Sequence, residues 1–169
     1  VRGNRLANNL FGVYLHGAAD SRVENNLIDG RRDLRLAEVG NGVSIWNAPG
    51  ARVVGNRIRG GRDGIYVKVS RDNLFENNSF SDLRFAIHYM YTNDSRIAGN
   101  RSRGKHVGWA IMYSERLDIE NNVSDEDRDH GLLLNSTNGS RVVGNVVRQG
   151  GETCVFVYTA THNRLAENR

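Results

Sequence analysis

The strongest constraint on this 169-residue chain is that it repeats itself about every 22 residues. An asparagine preceded by Gly or Glu recurs at Asn4, Asn25, Asn56, Asn77, Asn100, Asn121, Asn145 and Asn168, at intervals of 21, 31, 21, 23, 21, 24 and 23 residues. A second landmark, a small residue opening an alternating apolar tetrad, precedes seven of these asparagines by 11 to 14 residues. The tetrads are GVYL from Gly12, GVSI from Gly42, GIYV from Gly64, AIHY from Ala86, AIMY from Ala110, GLLL from Gly131 and CVFV from Cys154. Two landmarks that hold one phase over so many intervals point to a repeated structural unit.

Alternation within a tetrad has the period of a strand, so its second and fourth residues share one face. Those columns read Val13, Val43, Ile65, Ile87, Ile111, Leu132, Val155 and Leu15, Ile45, Val67, Tyr89, Tyr113, Leu134, Val157. A third apolar column, two residues before each motif asparagine, reads Val23, Val54, Phe75, Ala98, Ile119, Val143, Ala166. Three inward columns per repeat require a closed coil. The expected fold is therefore all-β, a right-handed parallel β-helix of about seven coils of roughly 22 residues, the handedness following from the rule for parallel crossovers. The leucine-dense consensus of leucine-rich repeats, which have a similar period, is missing. Equivalent asparagines would stack at the strand spacing of about 4.8 Å, giving a structural ladder of Asn25, Asn56, Asn77, Asn100, Asn121 and Asn145.

Residues 1–169 read as one β-helix domain. The surplus in the 31-residue interval predicts an inserted loop over 29–41, of the kind that decorates a binding face in solenoids. Because the repeats begin and stop inside coils without polar caps, the chain reads as a segment of a longer solenoid or as one capped by partners. Twenty asparagines, 19 glycines and one proline favour turns over long helices. No apolar run approaches the ~20 residues of a membrane helix, so no direct span is expected. A lone cysteine, Cys154, cannot form an intrachain disulfide. The net charge of +4 is nearly all guanidinium among interspersed acids, a solvated surface rather than a nucleic-acid footprint.

With tetrad positions two and four inside, position three and the residue after the tetrad face out. The outer columns read Tyr14, Ser44, Tyr66, His88, Met112, Leu133, Phe156 and His16, Trp46, Lys68, Met90, Ser114, Asn135, Tyr158. Such a face suits partner binding through Tyr66, Trp46, Tyr91, Phe156 and Tyr158. On this alignment His88 and Met112 neighbour one another on successive coils, and Met90 lies two residues from His88. An imidazole with two thioethers is a soft set suited to Cu(I); contact with a partner protein is the alternative use of the methionines. The charged turns Arg62-Asp63, Arg84 and Arg128-Asp129-His130 could hold anionic ligands such as acidic polysaccharides, or serve as salt-linked turns.

The stretch from Arg62 to Asn100, with LRFAIHYMYTND at its centre, followed by GWAIMYSERL from Gly108 and RDHGLLLN from Arg128, resembles the NosD family of maturation factors for nitrous oxide reductase. The resemblance runs from about Asn41 to Val157. It implies a periplasmic, non-enzymatic β-helix that works with the membrane and ATPase subunits of an ABC transporter, a copper-carrying lipoprotein and nitrous oxide reductase itself, in assembly of that enzyme's copper-sulfur centre. The runner-up from the residues alone is an acidic-polysaccharide-binding or -cleaving β-helix.

Overall fold

The structure is a computed structural model that describes residues 1–104 and 106–169. Its described strands form three seven-stranded sheets, each joining strands one coil apart, and all the pairings are parallel. The first sheet contains Val13–His16, Val43–Trp46, Asp63–Arg71, Phe85–Asn93, Val107–Met112, His130–Asn135 and Thr153–Tyr158. The second runs from Arg22–Glu24 to Arg164–Ala166, and the third from Arg5–Asn9 to Val146–Arg148. The chain is thus a β-solenoid of about seven turns, closed because each coil contributes one short strand to each wall. The strand Leu27–Gly30 runs two residues into the expected insertion, and the strandless stretch 31–42 follows it.

Inside, branched and aromatic residues stack in columns. One reads Val43, Ile65, Ile87, Trp109, Leu132 and another Ile45, Val67, Tyr89, Ile111, Leu134, all buried. This register corrects the fifth tetrad. His88 pairs with Ala110, Tyr89 with Ile111 and Met90 with Met112, so the tetrad is Gly108-Trp109-Ala110-Ile111. Tyr113, expected inside, is 45% exposed. A slip of two residues keeps every side chain on its own face, so alternation alone cannot detect it. Volume decides it. Trp109 fills the slot beside Phe80, ring centroids 6.1 Å apart, and the third sheet supplies small Ser102 and Ser124 in the coils around it. The Ser114 hydroxyl accepts a hydrogen bond from the Thr92 main chain at 3.1 Å, which fixes the same register.

The third apolar column is also shifted. Its buried members are Val23, Val53, Phe75, Ile97, Ile119 and Val142, so Val54, Ala98, Val143 and Ala166 each stand one residue too far along.

The asparagine ladder is Asn4, Asn26, Asn56, Asn78, Asn100, Asn122, Asn145 and Asn168. Along its inner part each Nδ2 donates to the next Oδ1 at 2.9 to 3.0 Å, and the same Oδ1 accepts a main-chain N–H at 2.9 to 3.0 Å. Nδ2 also donates to a main-chain carbonyl of the preceding coil, as from Asn78 to Val53 at 2.8 Å. These side chains satisfy main-chain groups that the turn would otherwise bury unpaired.

Asn25, Asn77 and Asn121, which the sequence placed in the ladder, sit one residue before it. They adopt left-handed φ of 54 to 55° and alternate down the stack with Gly55, Gly99 and Gly144. The alternation has a steric cause. A Cβ on any of those three glycines would lie closer than 3.0 Å to the Oδ1 of Asn25, Asn77 or Asn121 respectively. A left-handed site suits Asn or Gly, and a side chain at any of these three glycines would require the asparagine beside it to shift. Counting from the small residue that opens each tetrad, with Gly108 in the fifth, the ladder asparagine follows by 14 residues in all seven coils.

Candidate functional site

The outer face of the first sheet is set by register. One column reads Ser44, Tyr66, His88, Ala110 and the next reads Trp46, Lys68, Met90, Met112. Met112 is therefore the cross-strand neighbour of Met90 and lies on the diagonal from His88, which corrects the expected His88–Met112 contact. His88 and Met90 remain on one face of one strand and line the same cavity of about 360 Å³, together with Asn41, Arg62, Asp63, Tyr66 and Arg84. Met112 does not line it.

Three of these side chains form a linked unit. Asp63 opens the strand before that of His88 and is 1% exposed. Arg84 grips its carboxylate through Nε at 2.9 Å and Nη2 at 2.6 Å, and His88 Nδ1 lies 3.0 Å from Oδ2. The His88 ring is held edge-to-face by Tyr66 and Phe85, both at 5.1 Å between centroids, and the Arg84 guanidinium lies 4.2 Å over Phe85. Burial pushes the Asp63 carboxyl up, but hydrogen bonds from His88 and Arg84 and the guanidinium charge outweigh it and hold the group below its ordinary value. Burial, then the Asp63 charge, push the Tyr66 phenol up, so Tyr66 keeps its O–H at neutral pH.

Beside this cavity lies another of about 300 Å³, lined by Phe11, Tyr14, Asn41, Ser44, Ile45, Trp46, Tyr66 and Lys68. Trp46 stacks on His16 at 4.8 Å and is 46% exposed. Tyr91 stacks on Tyr113 at 5.1 Å, both in the left-handed conformation that rarely suits a bulky residue. Phe156 lies between the rings of His130 and Tyr158. Phe11 and Tyr14 meet edge-to-face at 5.3 Å, so the exposed aromatic residues described fall into three stacks and one edge-to-face pair along the sheet.

The charged turns do not form one groove. Arg62 and Arg84 flank Asp63, whereas Asp129 faces His106 on the neighbouring coil at 3.4 Å, Arg128 is exposed, and His130 packs flat on Phe156. Among the described residues no three His, Cys, Asp or Glu side chains gather as a metal cage. The available metal donors are a ring nitrogen of His88 and the thioether sulfurs of Met90 and Met112. They fit a cuprous ion better than a hard cation or a zinc-type site. The sequence reading missed the Asp63–His88 bond. Its signal was an aspartate on the inward parity of Ile65 and Val67, where a charge must find a partner.

A family model described as "Periplasmic copper-binding protein (NosD)" matches residues 24–169. The chain belongs to the NosD family. It is 33% identical to a probable ABC transporter binding protein NosD of Stutzerimonas stutzeri over 182 residues, and 34% identical to its namesake in Pseudomonas aeruginosa over 181. In both cases the match covers 99% of this chain and 42% of the relative, so the chain spans less than half the length of these relatives. Among solved structures it is similar to the periplasmic alginate epimerase AlgG, with a TM-score of 0.61 at 12% identity over 98% of this chain and 49% of that one. Two point variants of AlgG give TM-scores of 0.62 and 0.60. At that identity the likeness is one of fold alone. Among the described residues no helix is long and apolar enough to cross a membrane.

Proposed function

We propose that this chain is the β-helix part of a periplasmic, non-enzymatic accessory protein in assembly of the copper-sulfur centre of nitrous oxide reductase. In this reading its aromatic outer face docks partners, namely subunits of an ABC transporter, a copper-carrying lipoprotein or the reductase, and it holds Cu(I) in transit. His88 and Met90 are the donors in the cavity, with Met112 beside Met90 on the next strand as a third. The observation that carries the reading is the coincidence of family membership with an imidazole and a thioether lining one cavity. Cu(I) would be cargo here, bound and released. Acidic-polysaccharide binding or cleavage is the second reading, supported by Trp46, Lys68 and Arg62 around the two cavities.

Anaerobic Cu(I) titration against a competing chelator separates them. Met90→Leu with Met112→Leu nearly conserves volume and should spare folding while abolishing Cu(I) binding. Arg62→Ala with Arg128→Ala should leave Cu(I) binding intact. Equal binding by the methionine variant would remove these side chains from the reading, and retention of acidic oligosaccharide lost only in the arginine variant would favour the second.

A further inference from the structure

We infer that Asp63, itself held by Arg84, fixes His88 with its ring hydrogen on Nδ1 and so presents Nε2 as an open donor to the cavity shared with Met90. The donor role rests on the copper reading above; the ring state does not. His88 Nδ1 has two polar neighbours, Asp63 Oδ2 at 3.0 Å and Arg84 Nη2 at 3.3 Å. A guanidinium has donors only, so a bond from Arg84 would need a lone pair on Nδ1. That lone pair would also face a carboxylate oxygen at 3.0 Å, acceptor against acceptor. With the hydrogen on Nδ1, both Nδ1 and Arg84 Nη2 donate to Oδ2, and the two donors, 3.3 Å apart, share one anionic acceptor instead of setting a lone pair against it. In the neutral ring the lone pair then belongs to Nε2.

The surroundings hold this state. Tyr66 and Phe85 clamp the ring, and turning it over would strip Asp63 of a bond in a site where that carboxylate is 1% exposed. Arg84 is bidentate on Asp63, so neither group is available to a metal. Asp63 is thus a positioning residue, an outer carboxylate that orients a histidine ligand.

Long-range ¹H–¹⁵N correlation on the whole chain labelled with ¹⁵N-histidine, at neutral pH, reads the ring state directly. The wild type should show His88 as the Nδ1–H form, and added Cu(I) should shift Nε2 and not Nδ1. Asp63→Asn should lose the single ring form and bind Cu(I) about 10 to 100-fold more weakly, while Met90→Leu with Met112→Leu keeps the ring form. An Nε2–H ring in the metal-free wild type, or a copper shift at Nδ1, would overturn this inference and leave copper binding standing. No Cu(I) binding by the wild type would overturn the copper reading and the donor role with it, and the metal-free spectrum tells these failures apart. Should Asp63→Asn not fold, the wild-type spectra decide alone.

Discussion

Replacing Asn78 by alanine and, separately, Asn77 by glycine sets two adjacent asparagines against each other. Asn78 Oδ1 accepts the Asn56 main-chain N–H at 2.9 Å and Asn56 Nδ2 at 3.0 Å, and its Nδ2 donates to the Val53 carbonyl at 2.8 Å. Alanine leaves the Asn56 N–H buried without a partner and removes one of the bonds to the Val53 carbonyl, which stays paired in the sheet with the strand Leu74–Glu76. At about 1 to 3 kcal/mol for the unpaired N–H and about 1 kcal/mol for the bond lost at Val53, the loss is about 2 to 4 kcal/mol. That is a large part of the roughly 5 to 15 kcal/mol that holds a domain together. Asn77 is exposed, and its φ of 55° is one glycine adopts freely, so Asn77→Gly should cost less than about 1 kcal/mol. Urea denaturation followed by far-ultraviolet circular dichroism and by fluorescence of buried Trp109 gives both values. Equal losses, or a larger one for Asn77→Gly, would refute the argument that one asparagine of each pair carries the ladder and the other only turns the chain.

Gly99→Ala should destabilise by about 1 to 2 kcal/mol because it forces a Cβ into a left-handed turn and against Asn77 Oδ1, and Asn77→Gly in the same chain should recover part of the loss; thermal melts of the four-member cycle test this. Val69 holds φ of 53° with 47% of its surface exposed, in the column where Gly17 and Asn47 sit, so Val69→Asn should stabilise by about 1 kcal/mol, read as a raised midpoint in urea. Asp63 lies below its ordinary value in the folded chain, so its contribution to stability is complete above about pH 4 and fades as pH falls through the lowered folded value. Asp63→Asn should flatten that acid limb of the stability profile while lowering the plateau, and an unchanged acid limb would count against the ion pair.

The sequence by itself determined the solenoid. A period near 22 with strand alternation fixes coil length, and parity along each strand fixes which side chains face in, because both are local properties of the chain. That was enough to put Tyr66, His88, Met90 and Phe156 on one outer face. Parity has a period of two, so it says nothing about a slip of two, and only packing between coils placed Trp109 inside, Tyr113 outside and Met112 beside Met90. Which asparagine of Asn25-Asn26, Asn77-Asn78 and Asn121-Asn122 enters the ladder was likewise settled by hydrogen bonds and by the glycine stacked over its neighbour. The constant 14-residue spacing from tetrad to ladder holds this information, but it emerges only when Gly108 opens the fifth tetrad. The Asp63–Arg84–His88 unit was decided by tertiary structure entirely. Its members stand 21 and 25 residues from Asp63 in the chain, about one coil each, and a coil brings them together only once its register is set.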